Sequence, residues 1–226
     1  MTGKFQSFLQ RVHPSAFLFA AQLLLLVMFA IVDGLQIKQA VVSILGIVVL
    51  VLRVWVVRQS PAVDSIAWIL AIPALFLSIF SIFSTDTTLL IWTSLIEATL
   101  YFYTAGSLVA YMMEDDVVTT DEWFAAGATF TLLAWGFAYL YQFSQVFQPG
   151  SLVLGSGDFR YFTFVELLSL SFTNLSATGL SDIYPATAIP RVAVMLEQFV
   201  GVGYITIVIS RLVGMAKKIK DRDDDD

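Results

Sequence analysis

Apolar residues run along this chain in long blocks separated by short polar breaks. Six blocks are long enough to cross a bilayer core of roughly 30 Å, which takes about 20 apolar residues per helix. They cover residues 16–32, 39–57, 65–83, 87–113, 123–143 and 192–215. The breaks hold turn formers and charges: Asp33-Gly34, Arg58 to Asp64 with Pro61, Asp86, and the acidic run that opens at Glu114. Such short links predict antiparallel neighbours. The first block has two readings. Lys4 and Arg11 precede it, as in a signal peptide, but its length favours a retained helix.

Between the fifth and sixth blocks the pattern changes. Gln145 to Asp158 is polar and contains glycine, which predicts an outer loop. Residues 159–175 are apolar and helical in character, yet too short to cross the membrane and return. The segment Ser176 to Asp182 is small and polar, and Pro185 and Pro190 follow it. Irregular backbone at membrane depth is tolerated only where it is buried in protein or lines a water-filled cavity. Two arrangements satisfy this: a re-entrant pore loop, or an outer loop with a helix lying on the membrane surface.

Composition agrees with a membrane solvent. Of 226 residues 58% are hydrophobic and 13% charged, too few polar groups to clothe a water-soluble domain. The chain has no cysteine and one histidine, His13, which excludes disulfides, thiolate metal sites and a His-rich metal site. A net charge of -6 argues against nucleic acid as a partner. With six spans both termini share a side. That side carries Lys4, Arg11, Arg53, Arg58, Lys217, Lys218, Lys220 and Arg222, against Lys38, Arg160 and Arg191 opposite, which places both termini in the cytoplasm of a multi-pass cell-membrane protein.

Charges inside spans are expensive and therefore informative. Glu97 lies near the middle of the fourth span, either packed and hydrogen-bonded within the bundle or lining a polar crevice. Glu166 and Glu197 flank the loop and read as braces for its amides. Arg191 is a potential partner of Asp182, and Arg211 is placed to reach the cytoplasmic interface. The fourth span contains no Arg or Lys, so steep voltage sensing by it is not expected. The acidic link offers Glu114, Asp115, Asp116, Asp121 and Glu122 as oxygen ligands for a divalent cation, without an EF-hand loop. The competing reading is a solvated link in which Thr120 or Asp121 caps the fifth helix. No phosphate loop or nucleophile–base pair is evident, so enzyme chemistry is not expected.

Residues 170–185, Leu-Ser-Phe-Thr-Asn-Leu-Ser-Ala-Thr-Gly-Leu-Ser-Asp-Ile-Tyr-Pro, resemble the pore signature of the potassium channel superfamily. Prokaryotic members commonly read Phe-Thr-Thr-Leu-Thr-Thr-Thr-Gly-Tyr-Gly-Asp-Ile with a following Pro. The likeness continues through Pro190-Arg191, Met195 to Gly201 and Ser210 to Gly214, and spans about 123–214. The four helices before it match the peripheral domain of six-helix channels only in number. The resemblance implies a homotetramer around a central pore. Its ion-conduction filter is Ala177, Thr178, Gly179, Leu180 and Ser181, with Asp182 at the outer mouth and Gly201 and Gly203 as hinge candidates in the last span. Asp182 has two readings, a ring of carboxylates attracting cations or a hydrogen-bond acceptor behind the filter.

Three filter positions depart from the family. Ala177 lacks the innermost threonine hydroxyl. Leu180 replaces the bracing aromatic. Ser181 replaces a glycine whose left-handed backbone other residues adopt at a cost.

The expected fold is therefore an all-α membrane protein: four peripheral transmembrane helices, then a two-helix pore module with a re-entrant pore helix and filter. Its parts are a cytoplasmic N-terminus (1–13), the peripheral domain without sensor arginines (14–113), an acidic linker (114–122), the pore domain (123–216) and a charged tail (217–226). The expected function is passive conduction of monovalent cations, potassium or sodium or both, with weakened potassium selectivity and no other cofactor. The alternatives are a potassium-selective channel despite the altered filter, and a non-conducting sensor or regulatory subunit.

Overall fold

The computed structural model describes residues 14–34, 86–114, 120–211 and 213–214, with a few helical positions between 69 and 80. The expected second span, most of the third, Asp115, Asp116 and the charged tail lie outside the described residues. The described elements are α1 (Pro14–Gly34), α2 (Thr87–Met112), α3 (Thr120–Phe147), β1 (Leu152–Leu154), α4 (Phe164–Leu175), β2 (Ile183–Pro185) and α5 (Ala188–Tyr204). A π-turn, Ile205–Ile209, continues α5.

Two of these helices, over 121–147 and 188–209, are long and apolar enough to cross a membrane. They correspond to the fifth and sixth expected spans. Of the four expected peripheral spans, the first and fourth are seen as α1 and α2. Five hydroxyl side chains of α2 turn back onto its own backbone. Thr93, Ser94, Thr99, Thr104 and Ser107 each donate to the carbonyl four residues earlier, at 2.8–2.9 Å. These side chains are satisfied by their own helix and need no water. Asp86 caps the start of α2 by accepting the Thr88 amide at 3.0 Å.

The centre of the fold is α3, with two thirds (67%) of its apolar span buried against 28% for α5. It packs along α2 and α1 on one side and α4 and α5 on the other. Trp135 of α3 stacks on Tyr101 of α2 and meets Phe29 of α1 and Phe164 of α4, with ring centroids 5.6–5.8 Å apart. One aromatic cluster thus joins four helices. Gln22 of α1 also bonds Thr131 of α3.

Asp121 ties the lower ends together. It accepts the backbone amide of Ser15 at 3.1 Å and the Ser15 hydroxyl at 2.8 Å. One carboxylate thereby serves the N-terminus of α1 while standing in the first turn of α3, where both helix dipoles favour negative charge. Asp121 is a cap, as one reading of the acidic link held, but of a helix distant in sequence. Among the described residues no group of three acidic or imidazole side chains is placed to hold a metal ion.

The segment expected as a plain outer loop contains a strand. Leu152-Val153-Leu154 pairs antiparallel with Ile183-Tyr184-Pro185, in the register Leu152↔Pro185 and Leu154↔Ile183. The Ser151 carbonyl accepts Ala186 N–H at 2.8 Å, and Gly155 N–H donates to the Asp182 carbonyl at 2.9 Å. Three apolar residues are too short a run to announce a strand, and the partner strand lies some 30 residues on.

Candidate functional site

The site is assembled by α4, the loop after it, and α5. Entry into α4 is secured twice. Gln145, buried at the end of α3, accepts the Phe162 amide at 2.9 Å and donates to the Phe162 carbonyl at 3.0 Å. Thr163 and Glu166 then form a capping box, each side chain bonding the other's backbone amide. Arg160 pairs with Glu166 and lies over the Phe162 ring. That ion pair holds the Glu166 carboxyl below the usual carboxylate range. Glu166 therefore braces the start of the helix, not the amides of the loop beyond its end.

At its other end α4 leaves carbonyls without helical partners. The following loop turns back and supplies its own amides to them. Ala177 N–H donates to the Asn174 carbonyl at 2.9 Å, and Thr178 and Gly179 N–H both converge on the Thr173 carbonyl, at 2.9 and 3.0 Å. Ala177 and Gly179 are left-handed, with φ of 57° and 64°, while Thr178 between them is not. Alternating hand of this kind points successive amides to one side.

The consequence for the opposite side follows from peptide planarity. In a trans peptide the carbonyl of one residue points opposite to the N–H of the next, and no cis bond is present among the described residues. Hence the carbonyls of Ser176, Ala177 and Thr178 all face away from α4, forming a short ladder of oxygens on an exposed edge. The Thr178 hydroxyl turns back toward α4, 3.2 Å from the Thr173 carbonyl, so side chains do not obstruct that edge.

The outer half of the loop is built differently. Among the described residues no hydrogen bond joins the amides of Leu180 or Ser181 to α4. Leu180 is 82% exposed and braces nothing within the chain. Ser181 is outside the left-handed region, and its hydroxyl instead accepts the Ile183 amide at 3.1 Å, an ordinary serine turn. The strained residue without a glycine is thus Ala177, the innermost position, where a left-handed conformation costs roughly 1–2 kcal/mol. Asp182 is exposed, with its backbone carbonyl held by Gly155. Arg191 does not pair with it: its Nε donates to the Pro185 carbonyl at 3.1 Å.

Behind the loop, α5 presses against α4. A Cβ placed on Gly201 would lie 2.0 Å from the Leu175 carbonyl oxygen, so only glycine admits this contact. Gly203 meets nothing within 4 Å. The departure from α geometry falls just below both, at the π-turn Ile205–Ile209. Glu197 is fully buried between α3, α4 and α5 and bonds the hydroxyls of Tyr141 and Ser171, not filter amides. Tyr141 and Asn174 belong to this buried set, and sequence reasoning missed both. An apolar-looking helix position gives little warning that a tyrosine hydroxyl faces a carboxylate on another helix.

Residues 118–218 match the model of the ion channel family. No curated protein and no solved structure matches the chain. The matched stretch begins just before α3 and runs through the strand pair, α4, the carbonyl ladder and α5. It therefore contains the two helices that, among the described residues, are long and apolar enough to cross a membrane, and the irregular backbone between them. Residues 118–218 are thus similar to an ion channel domain, over somewhat less than half of the chain.

Proposed function

We propose that four copies of the chain enclose a central pore and conduct monovalent cations passively, with both termini in the cytoplasm. The observation that carries this reading is the ladder of Ser176, Ala177 and Thr178 carbonyls, held outward by amides bonded to α4, with Ser176 half-buried and Ala177 and Thr178 exposed in the single chain. One chain supplies only one wall of oxygens, and replacement of an ion's water shell needs several around it. The C-terminal end of α4 adds its negative dipole end to the same place, which favours a cation. The exposed apolar face of α5, including Met195, Phe199 and Val202, suits contact with neighbouring copies and the pore.

Selectivity between potassium and sodium rests on several successive oxygen cages. Here the cages braced by α4 end at Thr178, because Leu180 and Ser181 have no bond to that helix. The proposed channel therefore admits sodium comparably with potassium. The test is reconstitution of the purified protein in planar bilayers, with reversal potentials measured under bi-ionic conditions. Comparable permeability is expected for the natural sequence. The combined change Ala177→Thr, Leu180→Tyr and Ser181→Gly is expected to raise potassium preference. A natural channel already strongly potassium-selective would refute the short-filter argument. Absence of any cation current, or a monomer or dimer as the sole species in mild detergent, would refute the channel reading.

A further inference from the structure

Glu197 stands midway along α5 with its side chain sealed from solvent. One carboxylate oxygen accepts the Tyr141 hydroxyl of α3 at 2.5 Å, and the other contacts the Ser171 hydroxyl of α4. Asn174, one turn further along α4, donates Nδ2 to the Tyr141 oxygen at 3.4 Å. The backbone carbonyl of Asn174 accepts the amide of Ala177 at 2.9 Å. A path of hydrogen bonds, passing through the side chain and backbone of Asn174, thus runs from α5 through α3 and α4 to Ala177 in the middle of the carbonyl ladder. One turn along α5 from Glu197, Gly201 abuts the Leu175 carbonyl, so the two helices meet without slack beside that path.

A carboxyl group at this depth is costly, and an apolar side chain of similar volume would fill the space at no such cost. Its partners define a geometry. Tyr141 and Ser171 come from different helices, and both must be in place for the two oxygens to be satisfied. Ser171 also contacts the Ala134 carbonyl of α3 at 2.7 Å. Rotation of α4 about its axis, or a shift of α5 along it, would break at least one of these bonds. Rotation of α4 would also turn the Ser176, Ala177 and Thr178 carbonyls, because their peptides hang from its last turn.

We propose that Glu197 is a positioning residue for ion permeation: through Tyr141 and Asn174 it sets the angle of α4, so that the position of α5 is read out as the geometry of the carbonyl ladder. The proposal rests on the channel reading above.

Tyr141→Phe tests it with the ring packing kept. The hydroxyl path is lost, and the potassium-to-sodium permeability ratio is expected to shift about fivefold, the scale of one lost hydrogen bond. Glu197→Ala is expected to shift the ratio likewise, and the double variant no further than either single one. Glu197→Gln is expected to restore the natural ratio. Its amide oxygen still accepts from Tyr141, and its NH₂ donates to Ser171, which keeps its own proton for Ala134. Tyr204→Phe is the control. It removes another buried tyrosine hydroxyl, bonded to the Ala126 carbonyl at 2.6 Å away from the path, and should lower stability without moving the ratio. A Tyr141→Phe ratio equal to the natural one, or additive effects in the double variant, would overturn the proposal.

A second measurement does not need conduction. Amide hydrogen exchange over residues 174–179 should quicken in Tyr141→Phe and not in Tyr204→Phe. Unchanged exchange in Tyr141→Phe overturns the proposal whether or not current is seen, whereas a currentless natural protein with quickened exchange in that variant sinks only the channel reading.

Discussion

The two glycines of α5 make opposite predictions when each is replaced by alanine. At Gly201 the added carbon would sit 2.0 Å from the Leu175 carbonyl oxygen, 2.8 Å from its carbon and 3.0 Å from its Cα. These are backbone atoms at the end of α4, so no side chain can swing aside. Relief requires α5 and α4 to separate by about 1 Å, and overpacking of this kind typically costs about 1–3 kcal/mol. Alanine's better helix propensity returns about 1 kcal/mol at most. At Gly203 nothing lies within 4 Å, so the same propensity gain of about 1 kcal/mol is unopposed within the protomer. The two variants should therefore bracket the natural protein, Gly201→Ala below it and Gly203→Ala level or above. The assay is thermal unfolding of the purified protein in one detergent, followed by helix signal and by loss of the assembled species. In bilayers Gly201→Ala should also disturb permeation, since it displaces the helix end from which the carbonyl ladder hangs. Equal stability of the two variants, or a Gly201→Ala protein more stable than the natural one, would show that α4 and α5 do not meet as closely as described. A Gly203→Ala channel that no longer opens would give that glycine the bending role its position in the last span suggested.

Ala177 holds a left-handed conformation that glycine adopts freely, so Ala177→Gly should stabilise the protein by about 1 kcal/mol, less the extra chain entropy of glycine in the unfolded state; a loss of stability in thermal unfolding would contradict that backbone assignment. Glu166 has its pKa lowered by Arg160, so the stability it adds is present above the unfolded carboxyl value and is lost as pH falls through the lower folded one. The stability difference between the natural protein and Glu166→Gln should be constant above about pH 5 and shrink below about pH 4, and a difference that grows on acidification would reverse the sign of the coupling. The fourth expected span, α2, carries no basic residue, so open probability should vary only weakly with voltage, and a steep dependence equivalent to several elementary charges would place the sensing charge elsewhere.

The two long helices of residues 118–218 and the irregular backbone between them are legible in the sequence. The fifth and sixth apolar blocks read as membrane helices, since lipid demands an internally bonded backbone and apolar side chains, and both are found as helices long and apolar enough to cross a membrane. The polar break after residue 175 stood out as irregular backbone between two apolar blocks, and the order of residues from Thr173 to Pro185 resembled one family. The departure of Ser181 from a glycine backbone was likewise expected from its side chain, and it is found outside the left-handed region.

What tertiary structure decided are pairings between residues far apart in sequence. Asp121 and Ser15 are 106 positions apart, and Tyr141 and Glu197 are 56 apart. No local pattern specifies such partners, because each side chain alone is compatible with a cap, a solvated surface or a packed helix. Gly201 reads as a flexible point from sequence and as a close-contact point in the fold, a distinction set only by the Leu175 carbonyl that faces it. The strand Leu152–Leu154 exists because Ile183–Pro185 lies beside it. The sequence alone marked the apolar blocks that the structure shows as α3 and α5, since hydropathy acts residue by residue. The structure decided which carboxyl meets which hydroxyl and which carbonyls face outward, because those depend on the angle between helices that only packing sets.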